Sequence, residues 1–406
     1  MVEARSTCTA CGTALVDGAR FCHSCGTAVV DATVPTSVEV ATPEPRSDLR
    51  FVLWLALAAA AAIKVSALFG ADLYEETGGS TFHFRNLSLF VLPFVAWFLV
   101  RTRQPQTQIS RLLPLPFLAG ALVANIWHLG DPANTEVVLA LHLPVALLLI
   151  VGVAHAGDGW RTVEGRLAFI RFTGEWMVHY VLLGLGGLAL VGLTAGGFEV
   201  LGISADLEYP LTEWILPCGA MGAVVIAAWM ADRRLETGDG IAPVLARAFT
   251  PLFAVAVFVL LVGSLTAGDF LDMDRDALVL LDVLLLVVLG LLLYTVSARD
   301  PQAPPTWLDR IQIALLVAAV VLDVIALIST LGRIGEWGLT ANRTAALGIN
   351  LILLAQLGGS AWLAIAALRG RRPFPDLLRW QSRFLPVFAA WATVVMVAFP
   401  PIFDLV

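Results

Sequence analysis

Long apolar runs separated by short polar loops fill most of the chain. A helix needs about 20 mostly apolar residues to cross the hydrocarbon core of a bilayer. Such runs predict eleven membrane-spanning helices, at approximately residues 50–70, 85–101, 112–129, 136–155, 175–194, 211–231, 245–267, 277–297, 308–332, 341–368 and 382–403. The predicted fold class is therefore an all-α polytopic integral membrane protein, with a transmembrane domain at residues 49–406.

The composition supports a membrane environment. The 406 residues are 58% hydrophobic and only 14% charged, whereas a soluble domain carries about 25% charged residues. A water-soluble fold could not bury this much apolar surface, so the lipid bilayer is the expected partner of most of the chain. No run of like charge suggests a nucleic-acid partner.

The distribution of positive charge predicts the orientation. Of the 25 basic residues, 20 precede the first span or follow an even-numbered one. The opposite loops contain only Arg85, Arg275, Arg333 and Arg343. By the positive-inside rule, we expect a cytoplasmic N-terminus and an external C-terminus in the cytoplasmic membrane, which requires an odd number of spans.

The N-terminal segment contains two CxxCG motifs. Cys8 and Cys11 form the first, Cys22 and Cys25 form the second, and ten residues lie between Cys11 and Cys22. Four thiolates at this spacing are typical of a closed tetrahedral zinc site, which has a structural rather than a catalytic role. We therefore predict a small four-cysteine zinc ribbon at residues 1–27, folded by its metal.

Two other interpretations of the cysteines are two disulfides or four free thiols. Disulfides need an oxidising compartment, and the predicted orientation places this segment in the cytoplasm. Residues 28–48 are polar and contain three prolines, which indicates a flexible linker. A tethered ribbon of this kind would dock a cytoplasmic protein partner.

Several polar residues stand inside predicted spans, where an ionisable group is costly and usually faces a partner or a water-filled cavity. Lys64 in the first span and Asp323 in the ninth have similar depths and opposite charges, so we predict that they form an ion pair. Arg333 shares a helix face with Asp323, and Asn350 shares one with Arg343. The candidate intramembrane polar site comprises Lys64, His142, Asp282, Asp323, Arg333, Arg343 and Asn350.

Arg343 stands in the first turn of the tenth span, where the helix dipole disfavours a cation. It therefore needs a compensating anion, which would be Glu336, Asp323 or a ligand. A protein carboxylate is the expected partner. Thr340 is well placed to cap the same helix.

Two interpretations of these polar residues remain open. In the first, they line an outward-opening cavity that binds a small solute or ion, or relays protons. In the second, they form isolated hydrogen bonds between helices and one buried salt bridge.

The segment Gly338-Leu-Thr-Ala-Asn-Arg343 resembles a signature turn of the bacterial multi-pass membrane family catalogued as domain of unknown function 4153. Ala341 stands where that family tends to have proline. The ending Ala398-Phe-Pro-Pro-Ile-Phe403 is also similar. The resemblance covers about the last third of the chain clearly, and it implies a multi-pass membrane fold without a particular substrate.

Three functions follow as hypotheses. The first is a permease-like protein that binds or transports a solute through a polar cavity lined by the late helices. The second is a membrane sensor or scaffold whose ribbon docks a partner protein. The third is an integral membrane enzyme acting on a lipid-linked substrate, and no catalytic motif supports it.

The predicted orientation can be tested with reporter fusions. A topology reporter fused after Val406 should give an external signal, whereas the same reporter fused after Arg372 should give a cytoplasmic one, because the positive-inside rule places these positions on opposite sides. A cytoplasmic signal from the Val406 fusion would contradict the model of eleven spans with a cytoplasmic N-terminus.

Overall fold

The computed structural model describes residues 11, 13, 49–65, 79–126, 134–200, 209–237, 240–266 and 275–403. Cys11 and Thr13 are the described part of the predicted ribbon and linker, and the predicted ligands Cys8, Cys22 and Cys25 lie outside the described residues. The chain divides into two units, Met1–Arg46 and Ser47–Val406. The fold described below belongs to the second unit.

The described residues of this unit form thirteen α-helices. They are α1 Leu49–Val65, α2 Gly79–Asn86, α3 Leu92–Arg103, α4 Thr107–Leu112, α5 Pro114–Ile126, α6 Asn134–Ala156, α7 Val163–Val200, α8 Leu216–Thr237, α9 Ala242–Thr266, α10 Arg275–Ala298, α11 Trp307–Trp337, α12 Ala341–Leu368 and α13 Pro375–Phe403. A π-helical segment, Pro210–Ile215, leads into α8.

Ten helical stretches within the described ranges are long and apolar enough to cross a membrane. The predicted fold class, an all-helical protein with several helices suited to cross a membrane, is confirmed for the described residues. The described part of each predicted span is mainly helical, including the first, on α1, whose 17 residues end where the undescribed residues 66–78 begin. The count of eleven spans and their orientation remain predictions.

Helix α7 begins at Val163, well before the predicted start at residue 175. Its 38 residues extend about 57 Å, which exceeds the roughly 30 Å of a bilayer core. Charges such as Arg166 and Arg171 interrupt the apolar run and hide this extension from a hydropathy search. The added turns are amphipathic, however, because Phe169 and Phe172, close to those charges in the sequence, are buried.

Two apolar clusters hold the bundle together. The first is built mainly from α1, α3, α5, α6, α7 and α8, with Phe98, Leu143 and Phe172 among its buried side chains. The second is built from α9, α10, α11, α12 and the start of α13, around Leu285 and Leu322. Helix α13 packs against both α6 and α12, and so it joins the two clusters.

Arginine contacts mark one end of the bundle. Arg103 of α3 pairs with Asp232 of α8, Arg171 of α7 donates to the Ser297 carbonyl at 2.9 Å, and Arg299 pairs with Asp309 at 3.1 Å. We call this end, where α3, α8 and α10 finish and α11 begins, the basic end. It is the side that the positive-inside rule predicts to be cytoplasmic.

A buried carboxylate ties three helices together near the basic end. Glu175 of α7 is fully buried, and it accepts hydrogen bonds from the backbone N–H groups of Ile241 and Ala242 at 3.2 and 3.0 Å and from the Tyr294 hydroxyl at 3.2 Å. The start of α9 supplies unpaired donors and partial positive charge, so the charge of Glu175 is compensated. A Cβ atom at Gly240 would collide with this carboxylate.

Candidate functional site

Asp323 of α11 differs from the other buried acids. Its side chain is fully buried, and neither carboxylate oxygen has a hydrogen-bond partner in the described part of the chain. A buried polar group without a partner costs free energy. Glu175, which is equally buried, shows by contrast how completely this bundle can satisfy an acid.

Asp282 links Asp323 to a third polar side chain, Asn350. Asp282 of α10 is close enough for its charge to act on Asp323. The Asn350 amide of α12 faces Asp282, but too loosely to count as a formed hydrogen bond. We call Asp282, Asp323 and Asn350 the polar cluster.

Helical periodicity brings the three side chains together. Asp323 stands four residues after Ala319 and three before Ala326, and all three are buried. Asn350 of α12 stands three residues before Leu353 and seven before Leu357, and all three are buried. Because spacings of three and four residues share one helix face, each polar residue replaces one apolar residue in the stripe that packs the second cluster.

A second group of unsatisfied polar side chains lies on α12 and α13, and sequence reasoning missed it. The amides of Gln356 and Gln381 and the hydroxyl of Ser360 are completely buried, and none has a hydrogen-bond partner among the described residues. The Trp380 indole donates to the Gln356 carbonyl at 3.1 Å. Amides within or beside apolar spans were the sequence signal that could have revealed this group.

The predicted pair of Lys64 with Asp323 is wrong. The Lys64 ammonium lies 2.9 Å from the Glu213 carboxylate and 4.9 Å from the centre of the Trp214 ring. Glu213 belongs to the π-helical segment before α8, and α1 packs against α8. Neighbouring helices, rather than equal depth, therefore determine the partner of Lys64.

The expected carboxylate partner of Arg343 is also wrong. Its guanidinium donates to the backbone carbonyls of Trp337 and Gly338, at 3.0 and 2.9 Å. These carbonyls close α11, where the helix dipole is negative. Arg343 thus compensates the end of the preceding helix, while the Thr340 hydroxyl caps the start of α12 by accepting from the Arg343 N–H at 3.3 Å.

The other two predicted residues, His142 and Arg333, are not part of the polar cluster. His142 of α6 bonds to the Val138 carbonyl of its own helix at 2.7 Å. Arg333 follows Asp323 by ten residues on α11, a rise of about 15 Å. Of the seven predicted residues, the structure brings together Asp282, Asp323 and Asn350.

A cavity of about 210 Å³ lies among α10, α11, α12 and the start of α13 at the basic end. Its wall includes Gln312 and Leu316 of α11. Gln312 precedes Asp323 by eleven residues, or about 16 Å of helix, with buried Leu316 and Leu322 between them. The predicted outward-opening cavity remains a prediction.

No family model, curated protein or solved structure matches the chain.

Opposite stability effects are expected from the two kinds of buried acid. Asp323→Leu removes an unsatisfied carboxyl at similar volume, so we expect the free energy of unfolding to rise by about 1–3 kcal/mol. Glu213→Leu leaves Lys64 without its partner and should lower that free energy by about 3 kcal/mol. Unfolding of the purified variants by heat or denaturant in detergent measures both changes.

Glu213→Gln serves as the matched control, because it keeps an acceptor for Lys64 and should lose less stability than Glu213→Leu. A clear loss of stability in Asp323→Leu would mean that Asp323 has a partner within the folded chain, contrary to its geometry.

Proposed function

We propose that the chain is a permease-like membrane protein in which the polar cluster binds a small monovalent cation or a proton. The observation that carries this proposal is the fully buried Asp323, whose two carboxylate oxygens have no partner in the described residues. An intramembrane acid of this kind is expensive and typically marks an ion or proton path. A bound cation or proton would supply the missing interaction.

The chemistry of the polar cluster favours a small charge. Two carboxyl groups and one amide offer oxygen atoms, the ligands preferred by hard cations, but a calcium ion takes six to eight oxygens. Within the described residues, no group of three or more acidic, histidine or cysteine side chains is placed to hold a metal ion. If Asp282 and Asp323 share one proton, the single remaining negative charge suits a monovalent cation.

The position of the cluster also supports a path through the late helices. Its members come from three helices, α10, α11 and α12, so a small relative shift of these helices would change the access to Asp323. The amides of Gln356 and Gln381 add buried polar atoms without partners in the described residues on α12 and α13. Polar side chains on several facing helices are usual for binding sites built inside helical bundles.

A cation-dependent stability assay tests the proposal. The purified chain is unfolded by heat in lithium, sodium, potassium or choline chloride at constant ionic strength. We expect at least one alkali cation to stabilise the protein relative to choline, by about 2.7 kcal/mol at a hundredfold excess over its dissociation constant. Because protons compete for the same carboxylates, the stabilisation should weaken as the pH falls, and acid–base titration should show protons released on cation binding.

Asp323→Asn should abolish both the stabilisation and the proton release. Asp309→Asn is the matched control, since Asp309 is on the same helix but pairs with Arg299 at the basic end, and it should keep both. The proposal fails if the wild type shows neither cation-dependent stability nor a titratable proton that Asp323→Asn lacks.

We also infer that Cys8, Cys11, Cys22 and Cys25 bind one structural zinc ion. The doubled CxxCG spacing supports this, and its four thiolates would fill a tetrahedral site. The ribbon would then be a docking element for a protein partner, which is compatible with either a permease or a sensor.

Metal analysis of the purified chain tests the inference. We expect about one zinc per chain in the wild type and a strong loss in Cys8→Ser with Cys22→Ser, because each motif then lacks a ligand. Cys218→Ser is the control, since Cys218 lies in α8 of the membrane domain, and it should retain the zinc. Equal zinc content in all three proteins would contradict the assignment.

A further inference from the structure

The cavity at the basic end is mainly apolar. Its wall includes Leu292 and Val296 of α10, Leu316 of α11, Ala364 of α12 and Leu377 of α13. The space is open to the surface, and its volume of about 210 Å³ accommodates about seven groups the size of a water molecule or a methylene. It therefore offers room for a short stretch of an apolar chain.

The polar groups in the wall already have partners. Arg299 pairs with Asp309 at 3.1 Å and lies 4.7 Å from the centre of the Phe374 ring. The Gln312 amide donates to the Thr295 hydroxyl at 2.5 Å. Because these groups are satisfied, the interior of the cavity is suited to an apolar ligand rather than a polar one.

Two exposed arginines, which we call the rim arginines, follow the wall of the cavity along the chain. Leu368 lines the cavity, and Arg369 follows it directly. Arg369 and Arg371 are both exposed, and neither guanidinium makes a hydrogen bond or ion pair with the described residues. They are suited to bind an anion in charge-assisted hydrogen bonds.

A formed turn holds these arginines at the end of α12. The Arg371 N–H donates to the Ala366 carbonyl at 2.8 Å, and the Gly370 N–H donates to the Ala367 carbonyl at 3.0 Å. Gly370 has a φ of +66°, as the closing glycine of a Schellman motif requires. The backbone of the loop is thus fixed beside the cavity.

We propose that this cavity and its rim bind an anionic phospholipid. The start of one acyl chain occupies the apolar cavity, and the phosphate contacts Arg369 and Arg371. Two observations support a lipid over a small soluble anion: the apolar wall needs a hydrocarbon, and the unpaired arginines need a negative charge next to it. Basic pockets between helices at one membrane face are suited to anionic lipid head groups.

Lipid-dependent stability of the full-length chain in detergent tests the proposal. Phosphatidylglycerol should raise the unfolding temperature at lower concentrations than phosphatidylcholine with the same acyl chains. The double substitution Arg369→Gln with Arg371→Gln should weaken phosphatidylglycerol binding about thirtyfold, from two lost surface-charge contacts. Arg161→Gln, an exposed arginine after α6 at the basic end, is the matched control and should bind as the wild type does.

A second variant tests the cavity separately from the charge. Ala364→Leu fills part of the space and should weaken the binding of phosphatidylglycerol while leaving both rim arginines in place. The proposal is overturned if phosphatidylcholine stabilises equally well, if inorganic phosphate alone reproduces the effect, or if Arg161→Gln weakens binding as much as the rim variant. It is also overturned if Ala364→Leu folds and binds the lipid unchanged.

Discussion

A polar group inside a bilayer has no water to bond, so the protein itself must supply its partner. Lys64, Glu175 and Arg343 each meet this constraint in a different way. The first uses a carboxylate from a neighbouring helix, the second uses N–H groups at a helix start, and the third uses carbonyls at a helix end. Each of these contacts also holds two segments of the bundle together. The pairing of buried polar groups and the packing of the helices therefore depend on each other.

Against this background, the polar cluster is a place among the described residues where a buried carboxylate has no such partner. Asp323 and Asn350 are almost completely buried and lack partners in the described residues, although the same bundle satisfies Glu175 with three donors. Sites that bind a ligand commonly sacrifice stability in this way. Packing alone would favour a leucine at residue 323, and the proposed cation site gives the carboxylate a reason to be there.

The sequence was sufficient to predict most of the long helices and to give each polar residue an expected depth. Spans follow from the length of apolar runs, and Asp323 could be placed within its span by counting residues. Depth does not determine which helices are neighbours, however. Lys64 and Asp323 have similar predicted depths, but α1 belongs to the first apolar cluster and α11 to the second. Glu213 was not recognised as the partner of Lys64, because an acid at the start of a predicted span is common and does not indicate a buried ion pair.

Arg343 shows a second limit of reasoning from side chains. The expected partner of its guanidinium was a carboxylate, whereas the observed partner is the backbone at the end of α11. Every helix end carries such carbonyls, so they give no sequence signal. The start of α7 illustrates a third limit, since a helix that continues beyond the apolar core becomes amphipathic and escapes a search for apolar runs.

The two buried acids also limit how the late helices could rearrange. Helix α10 carries both Asp282 of the polar cluster and Tyr294, which bonds to Glu175, twelve residues apart or about 18 Å along the helix. The ring of Tyr294 also packs directly against Gly174, so closely that a Cβ atom at that position would collide with it. A motion of α10 that preserves these contacts must pivot near the basic end and produce its largest displacement at Asp282 or beyond. Glu175 would then be the fixed point of the motion, and the surroundings of Asp282 would change, which is compatible with the proposed cation site.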